Sequence, residues 1–180
     1  MRVRTIIVAT MFSSALSLVG CSDPAPIEPN GPATSATPTQ VAPTLPEAAK
    51  DDSEEGAVAF VKHYIELLNY ASDTGDVERL REASDPKCVG CNSYIELYES
   101  TYANGGYFKD SGWKNSHQVS DMQEGELLVF ADIEAAGGTF KEDRDDDIHE
   151  SRDEAYQLIF APILTNGGWI LSRFSRQADQ

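Results

Sequence analysis

Histidine and cysteine are scarce in this chain, three of each, and 14 Lys and Arg face 30 Asp and Glu. A net charge of −16 repels nucleic acid and anionic headgroups, so polyanion-binding classes are excluded and cations or basic partners are favoured. No nucleophile elbow, phosphate-cradling glycine loop or histidine-pair metal motif occurs, so no cofactor is expected. Beyond the first 20 residues no apolar run approaches the ~20 residues a membrane-spanning helix needs. No internal repeat is visible either.

What is present begins with an address. Arg2 and Arg4 precede an apolar stretch from Thr5 to Leu18, and Leu18-Val19-Gly20-Cys21 closes it on small residues. That order resembles the lipobox of exported lipoproteins. The resemblance implies cleavage before Cys21 and lipidation of its thiol, with the head held outside the cytoplasmic membrane; each buried methylene contributes ~0.8 kcal/mol, so two or three acyl chains anchor firmly. Residues 1–20 are then a signal peptide, and the mature chain is more acidic still, since they carry two arginines and no acids.

After Cys21 prolines 24, 26, 29, 32, 38, 43 and 46 punctuate Ser, Thr, Ala and Asn, a composition unable to bury enough surface to fold. Residues 21–50 therefore read as a tether. From 51 to 180 the pattern is that of one globular domain. Ala57, Phe60, Val61, Tyr64, Ile65, Leu68 and Ala71 recur at helical spacing behind Ser53-Glu54-Glu55, and that helix ends near Thr74-Gly75. Asp76 caps a short second helix with Val77 and Leu80; Ser84-Asp85-Pro86 predicts the start of a third, which Gly105-Gly106 stops.

Beyond Gly106 the period falls to about two. Strands are predicted over 113–119, 126–134, 154–164 and, after the turn Asn166-Gly167-Gly168, 169–174. The expected class is α+β, N-terminal helices packed on a curved antiparallel sheet.

Helix order, the Thr74-Gly75-Asp76 turn and the Asn166-Gly167-Gly168-Trp169 hairpin resemble the nuclear-transport-factor-2-like cone fold, in which a strand usually separates the second and third helices. Together with the lipobox, the tether, Leu45-Pro46-Glu47-Ala48, Cys88-Val89-Gly90-Cys91 and Tyr102-Ala103-Asn104-Gly105-Gly106, the chain resembles an uncharacterised family of actinobacterial lipoproteins. That family supplies no activity to carry over.

With Cys21 committed to lipid, Cys88 and Cys91 form an even remainder in an exported chain, which reads as a disulfide. A redox pair, favoured by a helix N-terminus, and a metal or free-thiol pair are the rival readings. In the acidic run, Asp143, Asp145, Asp147, Ser151 and Glu154 fall at calcium-loop positions, but Ile148 stands where such a loop needs glycine. A solvated charge run is the simpler reading.

For function, a tethered non-catalytic module that binds a small molecule or an envelope protein is expected. Its site would lie on the concave sheet side against helix one, with Tyr64, Tyr94, Tyr98, Phe130, Asp132, Tyr156 and Trp169 as lining. Two rivals stand beside it. A small isomerase or dehydratase would need a buried acid or base, for which Tyr64, Asp132 and His117 are candidates, read most simply as core, strand and edge residues. A structural subunit would pair with a second copy through its sheet face. His63, flanking the apolar stripe, reads as solvent-facing.

Overall fold

A computed structural model describes residues 40–177. The expected signal segment, Cys21 and most of the tether lie outside the described residues. The described part is α+β: three helices, α1 Glu54–Thr74, α2 Glu78–Glu82 and α3 Val89–Ala103, then seven strands. The strands are β1 Gly105–Lys109, β2 Gly112–Gln123, β3 Glu126–Ala136, β4 Thr139–Asp143, β5 His149–Glu150, β6 Glu154–Thr165 and β7 Gly168–Arg176.

Both ends of α1 are set locally. Ser53 Oγ accepts the Gly56 N–H at 3.0 Å, satisfying one of the unpaired donors of the first turn. At the other end Gly75, with φ 75°, donates to the Ala71 carbonyl in a left-handed cap that a side chain would strain, and a Cβ there would run into the Tyr102 ring. Between them, Ala57, Phe60, Val61, Tyr64, Ile65, Leu68 and Ala71 are buried, the stripe the spacing predicts. Each large side chain fully buried this way contributes ~1.5–3 kcal/mol.

That stripe packs on a four-stranded antiparallel sheet of order β2-β3-β6-β7. Its inner face presents Val129, Ala131 and Ile133 from β3, Leu158 and Phe160 from β6, and Leu171 and Phe174 from β7. Register shifts at Asn115/His117 and Ala161/Pro162 mark bulges, which bend a strand and raise its twist. Pro162, which lacks an N–H, is tolerated in β6 because pairing with β3 has ended at Phe160, and it sits at the bulge.

The sequence pattern shows one sheet; the fold has two. The second, of order β1-β4-β5, is built from Gly105–Lys109 and from the charged connection between β3 and β6. Its strands are too short, five, five and two residues, to display an alternation.

The third helix also starts later than Ser84-Asp85-Pro86 predicts. Asp85 N–H donates to the Leu171 carbonyl and Leu171 N–H to that of Ala83, both at 2.8 Å, so this segment forms a single parallel bridge on β7. Asp85 Oδ1 then takes the Lys87 N–H at 2.7 Å and the chain turns before α3 opens at Val89. Cys88, disulfide-bonded to Cys91, is its N-cap, with Sγ accepting the Cys91 N–H at 3.2 Å.

Candidate functional site

At the end of the main sheet where β3 finishes and β6 begins, the two sheets diverge and leave a cavity of about 500 Å³. Tyr94, Leu97 and Tyr98 of α3 form one wall; Trp113 of β2 and Tyr156 of β6 form the other, with Phe108 of β1 at the end. Glu150, Arg152 and Glu154 stand at the rim, all exposed. A smaller cavity of about 360 Å³ adjoins it, shares Tyr94, Glu154 and Tyr156, and adds Gly90, Ser93, Phe174 and Arg176. On α3, Gly90, Tyr94 and Leu97 lie at i, i+4 and i+7, so a single helix face walls the whole groove.

Asn69 fixes the main chain at Trp113. Its Nδ2 donates to the Trp113 carbonyl at 2.9 Å and its Oδ1 accepts the Trp113 N–H at 2.8 Å. Side-chain amide and backbone thus pair as two strands would, from a helix 44 residues upstream. Trp113 in turn meets Tyr94 at a centroid distance of 5.3 Å and 81° between planes, and Tyr156 at 6.0 Å and 87°. Such edge-to-face pairs add ~0.5–1.5 kcal/mol beyond burial, so the walls are stiff. The Arg176 guanidinium lies 4.5 Å from the centre of the Tyr156 ring, with its Nη1 4.0 Å from Glu154 Oε2.

The tyrosines are held protonated. Burial, reinforced by the neighbouring Tyr94, pushes the Tyr156 phenol up to about 12, against the opposing pull of Arg176. Burial also raises Tyr94 and, more strongly, Tyr98. These hydroxyls therefore offer hydrogen bonds and the rings offer faces; neither is set up to abstract a proton near neutrality.

Of the residues expected to line a site, the fold brings Tyr94, Tyr98 and Tyr156 together. Tyr64 is elsewhere: fully buried in the core, its hydroxyl shares a 2.8 Å hydrogen bond with Ser84 Oγ, which donates to the Leu80 carbonyl. Phe130 and Asp132 alternate with the inward Val129, Ala131 and Ile133 and so lie on the opposite sheet face, where Asp132 accepts from Gln157 at 2.8 Å. His117 is exposed in register with Asp132. Trp169 lines a different groove and donates to the Asp51 carbonyl at 2.9 Å. His63 also lines that groove and, contrary to its solvent-facing reading, is buried, because Val41–Leu45 folds back along α1 to wall it in.

The carboxylates at calcium-loop positions do not gather. Asp143 Oδ1 accepts the N–H groups of Asp145 and Asp146, while Glu154 opens β6 at the cleft rim. Among the described residues no group of three or more His, Cys, Asp or Glu is placed to hold a metal ion.

Residues 31–175 match a family described only as a family of unknown function (DUF6318). The chain belongs to that family. The match takes in every cleft residue named above except Arg176 and reaches back into the proline-rich segment ahead of the described fold. No curated protein matches the sequence. Among solved structures, the intermembrane space region of the chloroplast protein ARC6 is similar, with a TM-score of 0.52 at 14% identity over 72% of this chain and 99% of that one. At that identity the likeness is one of fold alone, and membership of the DUF6318 family leaves the activity to be argued from the cleft.

Proposed function

We propose that this protein is a non-catalytic binding module, held by lipid on Cys21 at the outer face of a cell membrane, and that the aromatic cleft is its binding site. One observation carries the binding reading. The cleft where the two sheets diverge, about 500 Å³, is lined by tyrosine and tryptophan whose polar tips stay neutral, a surface for stacking and hydrogen bonding. The Asn69 clamp holds Trp113 in place before any ligand arrives, which lowers the ordering cost of binding. The anchor rests on the lipobox pattern at 18–21. We further assign the fold to the nuclear-transport-factor-2-like cones. Support comes from the bent antiparallel sheet wrapped on α1, and from the Ser84 bridge at the position where that fold carries a strand.

The test is an amide NMR screen of the ¹⁵N-labelled protein against a small-molecule library. Hits are expected to move resonances of α3 and of the Trp113 and Tyr156 segments. Hits that move only the Trp169 groove or the Phe130 sheet face would refute the assignment of the site. For the anchor, Cys21→Ala should shift the protein from the detergent phase to the aqueous phase in a partition assay.

A further inference from the structure

Resting on the reading of this cleft as a binding site, we propose that its ligand presents an organic cation, an alkylammonium or guanidinium group, to the faces of Tyr94, Trp113 and Tyr156. The geometry is that of a box. Both tyrosine rings stand nearly perpendicular to the same indole, at 81° and 87°, and both line the main cavity and its smaller neighbour. Aromatic faces carry negative quadrupole density, so a floor with two walls of this kind attracts a cation from three sides.

The protein already demonstrates the affinity on itself. Arg176 places a guanidinium 4.5 Å from the centre of the Tyr156 ring, beside the smaller cavity that adjoins the box. Charge complementarity points the same way. Four charged groups face the groove: Glu150 and Glu154 are negative, Arg152 and Arg176 positive, and Arg176 is drawn to Glu154 at 4.0 Å. The two pairs cancel locally, and the remaining field is that of a chain with net charge −16, which draws cations toward the opening and repels anions.

The expected gain of a cation over a neutral molecule of the same shape is about two- to thirtyfold in affinity, the range of exposed to desolvated cation–π contacts. The experiment titrates the full-length protein with choline, with its neutral isostere 3,3-dimethylbutan-1-ol and with N-acetylarginine amide, following the Trp113 indole N–H by NMR and using that of Trp169 as an internal control. The cations should shift Trp113 saturably and leave Trp169 in place, with the isostere at least about twofold weaker. Tighter binding of choline indicates a quaternary ammonium metabolite or headgroup; tighter binding of the arginine amide indicates a basic peptide. Arg176→Gln should tighten choline by freeing the Tyr156 face, and Glu154→Gln should weaken it. An isostere that binds as well as choline, or an Arg176→Gln variant that binds choline more weakly, overturns the proposal. If a neutral oligosaccharide shifts Trp113 and choline does not, the cation is refuted and the cleft stands as a binding site. If the library screen moves only other surfaces, both readings fall.

Discussion

Asn69 does for Trp113 what a neighbouring strand would do, and its loss should be felt at both ends of the pair. Asn69→Ala leaves the Trp113 N–H and carbonyl without partners in a half-buried site, which costs about 1–3 kcal/mol. Urea unfolding should show that loss, and the Trp113 indole resonance should broaden as the start of β2 frays. His63 sets a pH dependence. Burial lowers its pKa from the ordinary 6.5, an effect larger than the opposing pull of Glu66, whose Oε2 is 3.8 Å from Nδ1. The unfolded chain therefore binds the proton more readily, and stability should fall as pH drops below about 6.5, with a slope of at most ~1.4 kcal/mol per unit until the folded-state pKa is reached. His63→Gln should flatten that slope between pH 7.5 and 5; an unchanged slope would refute the assignment. At this scale the site was half legible. Tyr94, Tyr98 and Tyr156 stand out as aromatics on periodic segments, whereas an asparagine on an amphipathic helix carries no mark of a backbone partner 44 positions away.

Among the elements, α3 comes up against the backbone of β7 at Gly90. A Cβ at that position would strike the Phe174 carbonyl, a backbone atom of β7 that has nowhere to go. Gly90→Ala should push the first turn of α3 off the sheet and cost about 2–3 kcal/mol, although alanine is the better helix former. Thermal unfolding checks this, with Gly167→Ala as a control, since a Cβ there meets only the Thr165 Oγ1 at an ordinary 3.7 Å. The Cys88–Cys91 disulfide spans the same turn, and both cysteines are almost fully buried. Long amphipathic α1 and strands β3, β6 and β7 were readable because one face of each is buried over many residues, so the hydrophobic period repeats. The small sheet and the true start of α3 were not, because pairing between distant segments decides them: the register Gly105↔Asp143 in one case, the hydrogen bond from Asp85 N–H to the Leu171 carbonyl in the other. A lone capping residue before a proline cannot tell a helix start from a bridge.

For the molecule as a whole, the folded body begins earlier than composition indicates. Proline and small residues hide the boundary, yet Glu47–Lys50 forms a 3-10 turn whose Ala49 is 1% exposed, and Gln40 Nε2 reaches Asp73 Oδ2 at 3.3 Å near the far end of α1. Residues 41–45 run between these points and wall the groove over Phe60, His63 and Leu67, while the Asp51 carbonyl accepts from Trp169. A chain cut to begin at Asp52 would lose the Ala49 burial, that hydrogen bond and the apolar cover of three α1 residues, together about 2–3 kcal/mol. Its Tm should lie about 10 °C below that of a chain beginning at Pro38. The same cut opens His63 to water and so should also shrink the acid-side slope that His63 imposes on the longer chain. If the two chains melt together, the segment merely rests on α1; if they differ in Tm and in pH slope, residues 40–51 belong to the fold, and any lipid tether ends before Gln40.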